Sequence, residues 1–129
     1  MLNHQGTVYL ETDRLILRGL NQEDTYSVFH NWTSDPEVSK FMRWNTHENL
    51  EVTKQWLKEC EENLKSNTYY DWGIILKFIE QPIGSIGAFI NPLESVRYEV
   101  GYALSRKYWG HGYTTEALSS VMNYLTDTV

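Results

Sequence analysis

The sequence predicts an α+β domain in which helices flank an antiparallel meander. Two observations carry this reading. Between Tyr70 and Leu104 three apolar runs follow the strand period of two, separated by turn-forming residues. On either side of them, apolar residues recur at helical spacing behind recognisable caps. The 129 residues fit one domain, residues 1–129, and 41% apolar content with 14% aromatics can bury a core.

The elements follow in order. Val8 to Leu20, with Leu15, Ile16 and Leu17, reads as the first strand. Asn21 is a good N-cap, and Glu23 and Asp24 suit the first turn of a helix running to about Trp32. Ser34-Asp35-Pro36-Glu37 reads as a second cap, with proline at the first helical position of a short helix. Thr46 is expected to cap a longer helix to about Lys65, with Thr53, Trp56, Leu57, Cys60 and Leu64 on one face. Cys60 reads as a core thiol rather than a nucleophile, because neither His nor a basic cluster lies near it in sequence.

Tyr70 to Ile79 alternates as a strand buried on both faces; Glu80-Gln81-Pro82 is expected to turn into a second strand, Ile83 to Ile90. Asn91 to Ser95 is a loop, and Val96 to Leu104 is the third strand of the meander. The last helix starts near Tyr113 and carries Thr114, Ala117, Leu118, Val121 and Leu125 on one face.

Composition excludes several classes of function. Eleven Lys and Arg against 17 Asp and Glu give a net charge of −6, and no basic run is present, so no nucleic-acid partner is expected. No stretch approaches the ~18 consecutive apolar residues of a membrane helix, and the N-terminus lacks the pattern of a signal peptide. A single cysteine suits a reducing compartment, and cytoplasmic localisation is expected. His4, His30 and His47 are scattered without ligand spacing, so no metal site is expected.

The chemistry-bearing stretch is Val96 to Tyr113. Val96, Tyr98, Val100, Tyr102 and Leu104 share one strand face and read as core. The other face carries Arg97, Glu99, Gly101 and Ala103, and beyond Glu99 it is almost bare, which suits a ligand lying flat against it. Gly110-His111-Gly112 then precedes a helix with Thr114 and Thr115 in its first turn. Glycines there let backbone N–H groups converge at a helix N-terminus, which makes an anion site without Lys or Arg. A tight strand-to-helix turn is the plainer alternative. The expected ligand has phosphates on the loop and an extended arm along the strand.

Four segments resemble one known family. Glu11-Thr12-Asp13-Arg14-Leu15-Ile16-Leu17-Arg18 looks like the opening strand of the GNAT N-acetyltransferases of the RimJ/RimL-like, ribosomal-protein-alanine branch. Ser34 to Val38 resembles the motif after that branch's first helix, and Ile83-Gly84-Ser85-Ile86-Gly87 resembles its third strand. Tyr108-Trp109-Gly110-His111-Gly112-Tyr113-Thr114-Thr115-Glu116-Ala117 is similar to its acetyl-CoA loop.

The resemblance implies a mixed, mainly antiparallel sheet flanked by helices, and acetyl transfer from acetyl-CoA to a primary amine, either a protein N-terminus or a small molecule. It implies that the pyrophosphate meets the amides of Trp109 to Thr114, thus Trp109, Gly110, His111, Gly112, Tyr113 and Thr114, and that pantetheine pairs around Tyr102, Ala103 and Leu104. Lys107 stands where the family motif has Gln or Arg, and lacks the planar fork of Arg. His111 is expected at phosphate or in solvent. Glu99 is the candidate base, acting through water; a salt bridge with Arg97 or Arg14 is the alternative. No residue matches the Tyr that often protonates the thiolate in the family.

Arg43, Trp44 and Asn45 fall where the family's acceptor loop lies. Trp32, Trp44, Tyr69, Tyr70 and Trp72 are either core or lining of the acceptor pocket. The family fold continues beyond the glycine-loop helix with a fifth strand, another helix and a further strand, so the fold is expected to be truncated after that helix. Three accounts compete: a shortened acetyltransferase, a homodimer in which a second copy completes the sheet edge, or a non-catalytic module binding a protein through that edge.

Overall fold

Apolar alternation around Leu15, Ile74 and Ile86 sets a five-stranded sheet, and the computed structural model describes residues 4–40, 42, 44–90 and 98–129 of the chain around it. The strands are β1 (Leu10–Glu11), β2 (Leu15–Arg18), β3 (Tyr70–Leu76), β4 (Gln81–Ile90) and β5 (Tyr98–Leu104). They are ordered β1-β2-β3-β4-β5, and every neighbouring pair is antiparallel. The expected meander is therefore β3-β4-β5. Arg43, Arg97 and the Asn91 to Ser95 loop lie outside the described residues.

The first strand expected from Val8 to Leu20 is instead two short strands. Thr12 breaks it, because its N–H donates to the Leu15 carbonyl while its hydroxyl oxygen accepts the Leu15 N–H, and the chain reverses. β3 likewise stops at Leu76, three residues before its expected end. The Ile79 and Glu80 N–H groups both return to the Leu76 carbonyl, and Glu80 takes a left-handed φ of 57°. Phe78, expected inside, is 92% exposed in this turn, and Gln81 and Pro82 already belong to β4.

The helices follow their caps. Asn21 accepts the Glu23 N–H while Asp24 accepts the Asn21 N–H, a reciprocal capping box. Behind it run a 3₁₀ turn (Gln22–Asp24), α1 (Thr25–Val28) and a π-helical turn (Phe29–Thr33). Asp35 caps α2 (Pro36–Ser39), with Pro36 at its start. α3 (Leu50–Asn63) is capped by Asn49, not Thr46, whose hydroxyl is engaged with Ser39. α4 spans Tyr113–Asp127.

Two cores result. Leu15, Leu17, Trp72, Ile74, Ile83, Ile86 and Leu104 pack on one face against Ala117, Val121 and Leu125 of α4. The other face, with Leu20, Ile75 and Ala103, is covered by Val28, Trp32, Val38 and Leu57 of the α1–α3 layer. Trp32, Tyr70 and Trp72 are buried core residues, so the pocket-lining alternative fails for them. Trp44 and Tyr69 are partly exposed. Cys60 is a buried thiol, its pKa pushed up to about 12 by burial and by the charge of Asp71.

Candidate acetyl-CoA site

β5 is an edge of the described sheet, and its ladder to β4 fixes which backbone groups it offers. The Ser105 N–H donates to the Ile83 carbonyl at 2.7 Å. By antiparallel alternation, Glu99, Gly101 and Ala103 bond to β4, while Val100, Tyr102 and Leu104 direct N–H and C=O outward. The outward Leu104 carbonyl accepts the Trp109 indole N–H at 2.8 Å. Gly84 permits this close strand pairing: a Cβ there would lie 2.3 Å from the Ala103 carbonyl oxygen.

After β5 the chain makes a 3₁₀ turn (Arg106–Tyr108) and enters the glycine loop. Gly110 and Gly112 have φ of 82° and 80°, which side-chain-bearing residues adopt only with strain. Gly112 is the N-cap of α4 and supplies no side-chain hydrogen bond. Among the described residues, the N–H groups from Gly110 through Thr115 donate to no protein acceptor. All of these residues but His111 line an open cleft of about 390 Å³, together with Tyr102, Leu104, Tyr108 and Trp109.

Most of the expected cofactor residues thus meet in one cleft, while Ala103, Lys107 and His111 lie outside its lining. Ala103 is buried in the opposite core and spends its backbone groups on Ser85, so Tyr102 and Leu104 alone of that trio face outward. The Trp109 N–H is taken by the Arg106 carbonyl at 3.2 Å, which moves the free amides one residue later. Lys107 and His111 are exposed and outside the lining; the Lys107 amine lies 5.7 Å from the Tyr108 ring, and His111 stacks on Tyr113. Tyr102, expected in the core, is 50% exposed in the cleft.

A latch between remote segments supports the loop. Glu116 of α4 accepts hydrogen bonds from Thr12 Oγ1 at 2.5 Å, Arg14 N–H at 3.0 Å and Arg14 Nε at 2.7 Å. Arg14 Nη1 donates to the His111 carbonyl at 3.0 Å, and its guanidinium carbon lies 4.4 Å from the Tyr113 ring centre. Burial opposes the Glu116 charge, but these hydrogen bonds and the Arg14 charge outweigh it and hold its pKa below the ordinary Glu value. Both residues sit inside the motifs read from the sequence, yet their pairing spans 102 positions. Arg14 is thereby committed away from Glu99.

Glu99 is exposed and stands opposite Phe89, on the α1–α3 face with Gly101 and Ala103. On that face the sequence reading missed Asp71. Strand alternation places a carboxyl among Gly73 and Ile75, and that polar residue in an apolar register was the available signal. Among the described residues, no group of three His, Cys, Asp or Glu side chains is placed to hold a metal. No helix of the described residues is long and apolar enough to cross a membrane.

An edge strand, a glycine loop and a helix N-terminus without a side-chain cap together form a backbone-lined site of the kind that suits an anion. The family model for the acetyltransferase (GNAT) domain matches residues 14–129, and the chain belongs to the GNAT acetyltransferase family. It is 30% identical over 115 residues to the uncharacterised N-acetyltransferase p20 of Bacillus licheniformis, and 29% identical over 115 residues to the uncharacterised N-acetyltransferase YoaA of Bacillus subtilis. Each alignment covers 89% of this chain and 64% of the relative, so the chain spans just under two thirds of their length.

Solved structures agree on the fold. A GCN5-related N-acetyltransferase from Brucella melitensis superposes with a TM-score of 0.82 at 16% identity, over 98% of this chain and 58% of that one. A ribosomal-protein-S5-alanine acetyltransferase from Vibrio fischeri gives 0.76 at 19%, over 93% and 68%.

Proposed function

We propose that the chain binds acetyl-CoA in the β5–α4 cleft and transfers the acetyl group to a primary amine, in the cytoplasm. The observation that carries this is the run of uncommitted N–H groups from Gly110 through Thr115 around the cleft. Backbone donors at a helix N-terminus suit a pyrophosphate in a protein of net charge −6, because they require no local excess of Lys or Arg. Val100, Tyr102 and the Leu104 N–H supply strand-like partners for an amide-bearing arm. When bound, acetyl-CoA supplies the activated acetyl thioester.

An amine is ammonium near neutral pH and must lose a proton before it attacks. Glu99 is the proposed base, through a water, since it is exposed on β5 two residues from Tyr102's neighbour Gly101. The acceptor class extends to protein N-termini and small amines by the resemblance to the RimJ/RimL-like branch.

Calorimetric titration of acetyl-CoA into the chain, with Gly110→Asp as control, tests the cleft. Gly110 has open space around its Cβ position but a φ of 82°, so the variant both adds a negative charge to the loop and strains its backbone. Binding by the parent and none by the variant is the expected result. No binding by the folded parent overturns the proposal and favours the interaction-module reading. For Glu99, Glu99→Gln is expected to lower kcat while leaving acetyl-CoA affinity intact; an unchanged kcat removes it as base.

A further inference from the structure

On the face away from α4, one row across the sheet is almost free of side chains. Asp71 of β3 pairs with Gly87 of β4, which pairs with Gly101 of β5. A Cβ at Gly101 would meet no atom within 4 Å, so the strip is open above it. A Cβ at Gly87 would lie 3.1 Å from Asp71 Oδ1, so the Asp71 carboxyl leans over Gly87 into the strip. Glu99 and Phe89 form the neighbouring row, and both are exposed.

The Asp71 carboxyl is only half satisfied. Oδ2 accepts the Tyr69 hydroxyl at 3.0 Å. Oδ1 accepts no hydrogen bond and forms no ion pair among the described residues. No fully buried side-chain oxygen there lacks a partner, so Oδ1 is reached by solvent. A half-buried carboxylate with a vacant oxygen, beside a bare strip bordered by Glu99, complements a cation with a slim attachment. Such a cation is the head of a primary ammonium.

We infer that Asp71 binds the ammonium group of the acceptor over the Gly87–Gly101 strip. This rests on the acetyltransferase reading and supplies its acceptor side. Burial pushes the Asp71 pKa up to about 7, against the pull of the Tyr69 hydroxyl. The titratable groups that act on it or feel its charge are the Tyr69 phenol and the Cys60 thiol, both raised chiefly by burial and uncharged near neutral pH, while Glu99 stands in the next row on β5. Ammonium binding needs the ionised carboxylate, so affinity should fall about tenfold from pH 8 to pH 6.

The test uses amide ¹H–¹⁵N spectra of the labelled chain, with n-butylamine as probe and n-butanol as its uncharged control. Butylamine, not butanol, is expected to shift the amides of Asp71, Gly87 and Gly101 saturably. Asp71→Asn keeps an oxygen for the Tyr69 hydroxyl and is expected to lose about tenfold or more in affinity. Gly101→Val fills open space and is expected to abolish the shifts while the spectrum stays folded. Absent shifts in the parent, equal shifts with butanol, or undiminished affinity in either variant overturns the inference. Acetyl-CoA added to the same samples reads the other half independently: shifts at Gly110 to Thr114 without an amine response leave the cofactor reading standing and this one refuted.

Discussion

Asp71→Asn should stabilise the protein, and by an amount that depends on pH. Its carboxyl goes from an ordinary pKa of 3.8 to about 7 on folding. Between those values the folded state holds the proton more tightly than the unfolded chain, so wild-type stability falls as pH rises through this window. Each unit is worth about 1.4 kcal/mol, so roughly three units place the penalty at up to about 4 kcal/mol above pH 7. Asn carries no charge and retains an acceptor for the Tyr69 hydroxyl, so the variant escapes the penalty. Urea unfolding of both proteins at matched pH should show a small difference near pH 3.5. Asn should gain progressively between pH 4 and 7, and the gain should level off above pH 8. Other titrating groups cancel in the difference. A difference that is flat across that range, or that favours Asp at pH 8, refutes the burial argument.

Other outcomes follow from the same geometry. Glu116→Ala removes the acceptor shared by Thr12 and Arg14; it should cost about 1–3 kcal/mol in urea unfolding and weaken acetyl-CoA binding by calorimetry through a loosened loop. Gly84→Ala places a methyl 2.3 Å from the Ala103 carbonyl oxygen, and amide exchange along β5 should accelerate as the ladder parts. Cys60, buried with its pKa near 12, should react with a thiol reagent only in denaturant.

What could be read from the sequence was local. Asn21 and Asp35 cap as their side chains demand, Pro36 starts its helix, and the period-two runs become β3, β4 and β5. The glycine loop was legible because Gly110 and Gly112 sit between a strand and a helix. The failures share a cause: another group competes for a residue's bonds. Thr46 does not cap α3 because Ser39 holds its hydroxyl, leaving Asn49 to do so. The opening strand splits because Thr12 turns back on Leu15. Tyr102 has core register but is left half exposed at the sheet edge beside the cleft. Neither the Arg14–Glu116 latch nor the Asp71 row can be seen from periodicity, because each joins segments distant in the chain.

The two halves of the proposed reaction lie on different faces of the sheet, and β5 is where they can meet. Tyr102 and Leu104 present their side chains to the α4 side and their backbone groups to the edge. Gly101, between Glu99 and Ala103, presents nothing to the other side. An acceptor held over Gly87 can therefore reach around the edge only because Gly101 has no side chain. The same residue is remote from the loop amides, so its substitution should separate the two halves. Gly101→Val should leave acetyl-CoA affinity within about twofold, less than the ~1.4 kcal/mol of a tenfold change, while turnover with any accepted amine collapses. Loss of both together would place the acceptor and the cofactor on the same side of the sheet.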